Sequence, residues 1–573
     1  MMNKWFVHAK RADFQRISEK FGIDPVVSRI LRNRDITSDE EIDYFLNAGI
    51  DDLYDEMLMP DMEKAAKAVY DAAVSGKHMR IVGDYDIDGV CSTYILLEGL
   101  KRIGANIDCC IPDRINDGYG INMNIVNKAH ADGVELILTC DNGIAALDEL
   151  KAANELRMKV VVTDHHNVRK NEAGDDILPE ALAVVDVKRQ ESKYPTEECC
   201  GAVTAWKLIK RIYSIGGRKS KEWLDFLEFA AIATVGDIMK LTGENRVIVK
   251  EGLKRINEGA FNLGLRTLIE ELELGEKTID TYHIGFIIGP CINAGGRLET
   301  AESALKLFTC TDRSEAELIA GHLRLLNAER KAMTEAGTKE GISIVEDSMT
   351  GDSVLVVYIE DLHESLAGIV AGRLKERYCK PCIVITKGHE GLKGSGRSIE
   401  SYDMFSALCE AEAFLTKYGG HKMAAGLSLK EEDLNGFREF LNSHSGLSEK
   451  DFIKKLWIDD PTPLSYVNMS FIAQLDSLKP YGQGFERPQF ACRNLRPSNI
   501  KVLGKAGNVV RFRLSDLSGG SYDALMFGDG EAEAAKLRAC DMIDILYTPR
   551  INEFGGRKST QIDVIDYNPS NKT

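Results

Sequence analysis

Arg80-Ile-Val-Gly-Asp84-Tyr-Asp86-Ile-Asp88-Gly89 is a short apolar run that ends in three alternating aspartates and a glycine. Such a run is typical of a buried parallel strand that reaches its carboxyl end. The pattern recurs in 135–143, which reaches Asp141, and in 160–166, which ends in Asp164-His165-His166. Ligands bind at this edge of an open α/β sheet. The sequence therefore predicts a doubly wound parallel sheet with acids and imidazoles gathered at one edge.

Carboxylates and imidazoles that share one sheet edge repel one another unless cations compensate their charge. A pair of divalent metals that act on a phosphate ester fits such a set. Asp237, beside Gly236, follows another apolar stretch and can supply a further carboxylate. A calcium loop of the EF-hand type is excluded, because the twelfth residue counted from Asp84 is Ile95 and not glutamate.

Composition limits the class of protein. A chain of 573 residues is too long for one core, so several domains are expected. The net charge of −17 argues against a nucleic-acid-binding surface that covers the whole protein, although a local cationic track remains compatible with it. No apolar stretch approaches the roughly 20 residues that cross a bilayer. The 13 scattered cysteines suit a reducing compartment, and we expect a cytoplasmic protein without a membrane partner.

The changing pattern along the chain predicts five parts. They are an N-terminal segment (1–60), a catalytic α/β domain (61–245), a helical connector (246–345), a smaller α/β domain that binds phosphate and the substrate strand (346–450) and a C-terminal β-barrel of the OB type (451–573). In the barrel, basic residues such as Arg511 and Arg513 alternate with aromatic residues such as Phe512, Phe527 and Tyr547. This alternation suits single-strand binding, but it also describes any half-buried strand.

The smaller α/β domain carries groups that suit phosphate binding. Gly394-Ser-Gly-Arg-Ser398 predicts a nest of backbone N–H groups, with Ser395 and Arg397 donating to phosphate oxygens. A glycine-rich loop with an arginine is more often just a turn. Outside this loop, the candidate substrate contacts are Arg114, Tyr119, Arg297 and His421.

The order of these motifs resembles that of the DHH phosphoesterase superfamily. The motifs in question are Gly83-Asp-Tyr-Asp-Ile-Asp-Gly89, Asp141-Asn-Gly143, Asp164-His-His166 and Val235-Gly-Asp237. Asn293–Leu298, Gly394–Ser398 and Gly419–His421 resemble the DHH-associated domain of the RecJ-type single-strand-specific exonucleases, and 478–490 resembles the entrance to their OB domain. The stretch 362–370 departs from the family pattern at Glu364–Leu366.

The resemblance implies a 5′-to-3′ exonuclease that degrades single-stranded DNA to mononucleotides with Mn2+ or Mg2+, by a two-metal mechanism, in DNA repair and recombination. It implies metal ligation by Asp86, Asp88, Asp141, His165 and Asp237, with Asp84 adjoining. His166, Asp141 and Arg297 become the predicted catalytic residues, with His166 on the scissile phosphate and His421 assisting near the cleavage point. Arg114, Ser395 and Arg397 would grip the 5′ phosphate, and Tyr119 would pack on base or sugar.

Two other functions remain open at the level of sequence. The same catalytic module supports a phosphodiesterase for short oligonucleotides or cyclic dinucleotides, although a dinucleotide does not need a C-terminal barrel. The other alternative is a catalytically inactive replication scaffold. It is disfavoured because every acidic and histidine residue of the expected metal site is present in the sequence. The expected partners are single-stranded DNA and a single-strand-binding protein or helicase.

Overall fold

The computed structural model describes residues 3–114, 117–218, 221–388, 391–504 and 507–570. The chain forms two compact units. The larger unit comprises Tyr54–Met239 and Gly252–Lys454, and the smaller unit comprises Met1–Leu53, Lys240–Glu251 and Lys455–Thr573. The smaller unit is therefore built from three separate stretches of the chain.

Nineteen strands lie in the described residues. They are β1 (Lys4–Val7), β2 (Met79–Val82), β3 (Ile107–Cys110), β4 (Leu136–Cys140), β5 (Lys159–Thr163), β6 (Arg169–Lys170), β7 (Asp176–Ile177), β8 (Ala183–Val185), β9 (Leu355–Tyr358), β10 (Cys382–Gly388), β11 (Gly391–Arg397), β12 (Lys417–His421), β13 (Ala424–Leu429), β14 (Lys455–Ile458), β15 (Phe490–Leu503), β16 (Val509–Ser515), β17 (Ser521–Phe527), β18 (Ile543–Phe554) and β19 (Arg557–Pro569).

Twenty α-helices lie in the same ranges. They are α1 (Phe14–Phe21), α2 (Pro25–Asn33), α3 (Asp39–Asn47), α4 (Met62–Val74), α5 (Ile87–Lys101), α6 (Met123–Ala131), α7 (Leu147–Glu155), α8 (Gly201–Ile215), α9 (Leu227–Gly236), α10 (Gly243–Asn257), α11 (Leu263–Glu271), α12 (Thr281–His283), α13 (Gly289–Leu298), α14 (Glu302–Thr309), α15 (Arg313–Ser348), α16 (Ala367–Tyr378), α17 (Met404–Glu410), α18 (Leu434–His444), α19 (Met469–Ser477) and α20 (Gly530–Arg538). None of them is both long and apolar enough to span a bilayer.

The larger unit contains the predicted parallel sheet, with strand order β3-β2-β4-β5-β8. Every neighbouring pair in this sheet is parallel. Strands β2 and β4 are buried at every position, because α6 and α7 pack on one face and α5 and α8 contact the other. The doubly wound α/β prediction is confirmed. The carboxyl ends of β2, β4, β5 and β8 consequently meet at one edge.

Helix α5 begins at Ile87, whereas the apolar period of the sequence predicts a helix over 91–103. The carboxylate of Asp86 caps it by accepting hydrogen bonds from the backbone N–H groups of Asp88 at 2.9 Å and Gly89 at 3.1 Å. Asp86 thus caps the helix, and Asp88 lies in its first turn. A helix N-terminus favours negative charge, so this placement lowers the cost of gathering carboxylates there.

The second α/β sheet has strand order β12-β13-β11-β10-β9. It corrects one prediction: Gly394–Arg397 lies inside strand β11 and does not form a loop. Ser395 faces Val384 of β10 on one side and Gly426 of β13 on the other. The backbone N–H groups of β11 are therefore used in the sheet, and a phosphate-binding nest is excluded at this position.

The smaller unit contains a closed five-stranded barrel in the order β15-β16-β17-β19-β18, as expected for the OB type. Two aromatic residues grouped above with a strand-binding surface lie in its core instead. Phe512 is 1% exposed and Tyr547 is fully buried, whereas Phe527 is 60% exposed. The core of this unit also includes residues of α2 and α3, so the N-terminal segment packs with the barrel.

Candidate metal centre and phosphate pocket

The acidic and histidine residues converge at the carboxyl edge of the parallel sheet. Asp84 follows β2, Asp141 follows β4, and His165 follows β5. Asp237 ends α9 as its C-terminal capping residue. The fold therefore brings together groups that are up to about 150 residues apart in the sequence.

Asp141 and His165 lie at the centre of this cluster. The Nε2 atom of His165 is 3.0 Å from Oδ1 of Asp141, 3.5 Å from Oδ2 of Asp88 and 3.7 Å from Oδ2 of Asp237. Three sets of ligand atoms each lie within 4.8 Å of one another: Asp84, Asp86 and Asp141; Asp141, His165 and His166; Asp88, His165 and Asp237. Because Asp141 belongs to the first two sets and His165 to the last two, the geometry suits two adjacent ions.

Burial and mutual repulsion perturb these carboxylates strongly. Loss of water and the neighbouring charge of Asp86 raise the pKa of Asp84 to about 8. Burial and the charge of Asp88 raise the pKa of Asp237 to about 8 and that of Asp141 well above its usual range. Burial also lowers the pKa of His165, which keeps its ring neutral and able to offer a lone pair. The cluster is therefore charged at neutral pH only at a cost that cations would offset.

The donor atoms fit a pair of Mn2+ or Mg2+ ions. Oδ2 of Asp84 and Oδ2 of Asp237 are buried and accept no hydrogen bond from any described residue. Buried carboxylate oxygens normally have a partner, and a bound cation would be the partner of these two atoms. Carboxylate oxygens suit both Mn2+ and Mg2+. An imidazole nitrogen in the ligand set favours Mn2+, because Mg2+ prefers oxygen ligands.

Asp88 is oriented by the start of helix α8. Its two carboxylate oxygens accept hydrogen bonds from the backbone N–H groups of Gly201 at 2.6 Å and Ala202 at 2.8 Å. Each oxygen keeps a second lone pair, so these bonds are compatible with metal ligation. A Cβ atom on Gly201 would lie 2.7 Å from Cβ of Asp141. Glycine is therefore required for α8 to approach the cluster this closely.

His166 is held between a carboxylate and a phenol. Its Nδ1 atom lies 2.8 Å from Oδ1 of Asp164, and the hydroxyl oxygen of Tyr119 lies 3.1 Å from Nδ1 and 3.2 Å from Nε2. Tyr119 donates its proton to the backbone carbonyl of Asp141 at 2.6 Å, so its oxygen faces the ring as an acceptor that is not aimed at one nitrogen. Burial lowers the pKa of His166, but the hydrogen bond to Asp164 and the charges of Asp164, Asp237 and Asp88 together outweigh it and raise the pKa to about 9.

A separate pocket of about 570 Å3 lies between the two α/β sheets of the larger unit. Four of the predicted substrate contacts line it: Arg114, Arg297, Ser395 and Arg397. The guanidinium of Arg397 donates to Oγ of Ser395 at 3.2 Å, and that of Arg297 donates to the carbonyl of Ser365 at 2.9 Å. Ser365 belongs to the stretch that departs from the family pattern, so this stretch positions Arg297.

Two predicted residues lie outside the pocket. Tyr119 contacts the metal-binding cluster instead. His421 is exposed, and its Nδ1 atom accepts a hydrogen bond from the backbone of Met423 at 3.3 Å. Conversely, Lys393 and Lys417 line the pocket but were not predicted. The alternation of side chains along a strand places Lys393 on the same face as Ser395 and Arg397. Lys393 could therefore be predicted from the sequence only if this segment were first recognised as a strand.

Tyr85 connects the pocket with the cluster. It stands between Asp84 and Asp86 in the chain, it lines the pocket, and its ring lies 4.7 Å from the guanidinium carbon of Arg114. An acidic, metal-fitting cluster thus adjoins a basic pocket in one unit. This combination defines a metal-dependent phosphoesterase.

Comparison with known proteins agrees with this class. Family models match at residues 78–234 (DHH family, N-terminal domain), 351–444 (DHHA1 domain) and 458–566 (RecJ OB domain). The single-stranded-DNA-specific exonuclease RecJ of Bacillus subtilis (strain 168) is 34% identical over 570 residues, which cover 98% of this chain and 70% of the relative. The chain belongs to the RecJ family.

Further relatives extend the same result. The single-stranded-DNA-specific exonuclease RecJ of Escherichia coli (strain K12) is 29% identical over 570 residues, covering 95% of this chain and 96% of the relative. A crystal structure of RecJ from Thermus thermophilus in complex with Mn2+ superposes with a TM-score of 0.84 at 27% identity, covering 99% of this chain and 79% of that chain.

Proposed function

We propose that this chain is a metal-dependent exonuclease that hydrolyses single-stranded DNA with Mn2+ or Mg2+. Its membership of the RecJ family supports the substrate, since relatives along nearly the whole chain carry that name. The observation that carries the proposal is the adjacency of the metal-fitting cluster and the basic pocket through Tyr85. One region holds the metals, and the other binds the phosphates of the strand.

The residues that would hold the two ions are Asp84, Asp86, Asp88, Asp141, His165 and Asp237. Asp141 would contribute to both ion sites, because its oxygens approach both His165 and the aspartates after β2. When bound, a pair of divalent ions polarises the phosphate and stabilises the attacking and leaving oxygens of an in-line displacement.

The side chains around the metals contribute positioning and charge. His166, held protonated by Asp164, would donate to a non-bridging oxygen of the scissile phosphate and stabilise the negative charge that develops there. The hydroxyl of Tyr119 lies beside the same ring, almost equally far from both of its nitrogens, and limits its rotation. The hydrogen bond to Asp164 and this contact orient His166 before substrate arrives and leave the Nε2 proton for the phosphate, so less order is lost on binding.

The basic pocket would set the direction of degradation. Arg114, Ser395 and Arg397 together offer donors that match a terminal phosphate monoester. If this phosphate is the 5′ end, each cut releases a mononucleotide and degradation runs 5′ to 3′. Arg297 lies between this pocket and Asp86, whose charge acts on it, and would neutralise the next phosphate.

The remaining proposals concern organisation and context. The five-part division given above assigns catalysis to 61–245, phosphate and strand binding to 346–450 and nucleic-acid binding to 451–573. A barrel of the OB type favours a long strand over a dinucleotide as substrate. The biological role would be DNA repair and recombination in the cytoplasm, with a single-strand-binding protein or helicase as partner.

The test replaces the carboxylate proposed to contribute to both ion sites. Asp141→Ala should lower turnover on a 5′-labelled single strand in Mn2+ by at least about 100-fold, since losing merely an orienting partner of a metal ligand costs up to that much. Asp148→Ala, at an exposed acid on α7, is the matched control. Duplex, RNA and dinucleotide substrates define specificity in the same assay. Wild-type turnover in Asp141→Ala would refute the metal site, and an inactive wild-type protein would favour the scaffold.

A further inference from the structure

The first and the fourteenth strands form a small separate sheet in the smaller unit. Strand β1 pairs with β14 in parallel, with Lys4 opposite Lys455 and Phe6 opposite Trp457. Because side chains alternate along a strand, these four residues share one face. Trp5, on the opposite face, donates from Nε1 to Oδ2 of Asp566 in the barrel at 2.7 Å. The face that carries Lys4, Phe6, Lys455 and Trp457 therefore points away from this contact.

The aromatic rings on this face form a connected, accessible row. The ring centroid of Trp457 lies 5.4 Å from that of Phe6 and 4.7 Å from that of His8, and the His8 and Trp457 planes are within 20° of each other. Phe6 is 38% exposed and Trp457 is 48% exposed. Rings of this size usually lie in cores or interfaces, so their exposure calls for a partner with flat apolar faces.

The lysines supply the second part of the pattern. Like charges placed directly opposite in a sheet destabilise the pairing, yet Lys4 and Lys455 are paired in register. Neither forms an ion pair with any described residue. A bound polyanion would relieve this repulsion. The protein as a whole carries a net charge of −17, whereas this patch is cationic.

We propose that Lys4, Phe6, Lys455 and Trp457, with His8, form a second binding platform for single-stranded DNA, which stacks nucleobases on the rings and holds phosphates on the lysines. Stacked rings flanked by cations match the alternation of base and phosphate along a single strand, and this mode tolerates any sequence. The proposal rests on the proposed exonuclease function and adds a strand contact outside the catalytic unit. An acidic protein segment would match the lysines but would leave the row of flat rings unused.

The platform can be tested by equilibrium binding of a fluorescent 30-mer of deoxythymidine to the full-length protein in EDTA, where cleavage is blocked. Trp457→Ala should weaken binding roughly tenfold, the scale of losing one stacked base. Trp457→Phe should bind nearly as the wild type because it keeps a ring. Phe261→Ala removes a ring that is 67% exposed in the larger unit and serves as the matched control.

The lysines have their own readout. The Lys4→Ala/Lys455→Ala double variant should reduce the slope of log Kd against log salt by roughly 0.7 per lysine. The Lys64→Ala/Lys67→Ala pair on α4 should leave the slope unchanged. Unchanged affinity in Trp457→Ala together with an unchanged slope in the double variant would overturn the platform, including the case in which this face binds a protein.

Turnover of a hexanucleotide in Mn2+ separates this proposal from the exonuclease function. We expect a hexanucleotide to be too short to occupy the catalytic unit and the platform together, so Trp457→Ala should degrade it at the wild-type rate and should lose efficiency on a 60-mer. That result also shows that the variant is folded. If the wild-type protein degrades neither substrate, the exonuclease proposal fails. If all variants degrade both substrates equally, only the platform fails.

Discussion

Asp164 is fully enclosed at the end of β5 and accepts four hydrogen bonds. Three come from the backbone N–H groups of Ile144, His165 and His166, and the fourth comes from Nδ1 of His166. Although burial opposes ionisation, the hydrogen bond from His166 leads the opposing effects and lowers the pKa of Asp164 to about 2. The carboxylate is therefore charged at every working pH and keeps the adjacent imidazole protonated.

Asp164→Asn should consequently impair catalysis without removing a metal ligand. The amide keeps the shape but loses the charge, so the pKa of His166 should fall and the ring should lose its proton at a lower pH. We expect turnover to drop by roughly 10- to 100-fold, as for other orienting partners. On single-stranded DNA, the fall of the rate at alkaline pH should begin at a lower pH than in the wild type. Asp175→Asn, in an exposed loop, is the control, and an unshifted profile would contradict this role.

The raised pKa values of Asp84 and Asp237 predict how pH acts on the metal-free protein. Both carboxyls have a pKa of about 8 in the folded state and about 4 when unfolded. Between these values the folded state binds more protons, so stability falls as pH rises, by at most about 1.4 kcal/mol per pH unit for each group. Metal binding needs the deprotonated carboxylates, so its stabilising effect should increase over the same range.

Thermal unfolding with EDTA and with Mn2+ measures this effect. The increase in Tm on adding Mn2+ should be larger at pH 8 than at pH 6. The Asp84→Asn/Asp237→Asn variant should have a weaker pH dependence in EDTA than the wild type, because its amides do not titrate, whereas Asp141 still does. An increase in Tm that is equal at both pH values would count against paired ligation by these residues.

The sequence predicts which residues gather at the sheet edge but not how each side chain is used. Asp84, Asp141 and His165 end apolar runs, and parallel strands bring such ends together whatever the details of packing. The role of Asp164 depends on which way its side chain turns, and the position of His421 outside the pocket likewise follows from packing. Direction follows from packing between elements that are distant in sequence, which one sequence does not encode locally.

Helix α16 packs against strand β11 at the phosphate pocket. A Cβ atom on Gly368 would lie 2.7 Å from Nη2 of Arg397 and 2.8 Å from Oγ of Ser395. The helix thus approaches the two groups proposed to bind the 5′ phosphate, and a side chain at this position would displace both. On Gly372, one turn further along the same helix, a Cβ atom would meet nothing within 4 Å.

Gly368→Ala should therefore reduce the preference for a 5′-phosphorylated strand over a 5′-hydroxyl strand. Metal binding should not change, because the cluster does not contact α16. Gly372→Ala should keep the preference and stabilise the helix by up to about 1 kcal/mol, as alanine does in helix interiors. Competition between the two strands in one reaction gives the ratio directly. Equal ratios in both variants would argue against phosphate binding by Ser395 and Arg397.

Elements with strong periodicity were predicted well, and the exceptions have physical causes. The periodicity predicts a helix over 61–73 and strands over 509–514 and 522–527, and α4, β16 and β17 lie within one residue of these ranges. Strand β1 was not predicted, since four residues carry too little pattern and its partner is about 450 residues away. The Gly394–Arg397 segment was taken for a loop because of its glycines, whereas sheet pairing on both sides overrides that tendency.

Across the molecule, the smaller unit is discontinuous in sequence, which the five-part division does not capture. The buried residues Val27, Ile30 and Leu31 of α2 belong to the same core as Phe471 of α19 and Phe490 of the barrel. Residues from Met1–Leu53 and Lys455–Thr573 thus bury each other's apolar surface. The sequence shows where the pattern of helices and strands changes along the chain, but it does not show which distant stretches share a core.

Removal of 455–573 alone should therefore damage more than strand binding. The shortened protein would expose the apolar side of α2 to water, at a cost of about 1.5–3 kcal/mol for each large side chain that is no longer buried. We expect strong binding of a hydrophobic dye and concentration-dependent association in sedimentation. Removal of 1–53 as well should relieve much of both effects, because the uncovered helices leave with the barrel. If the protein cut after residue 454 stays monomeric and binds no dye, the shared core contributes little, and the N-terminal segment folds without the barrel.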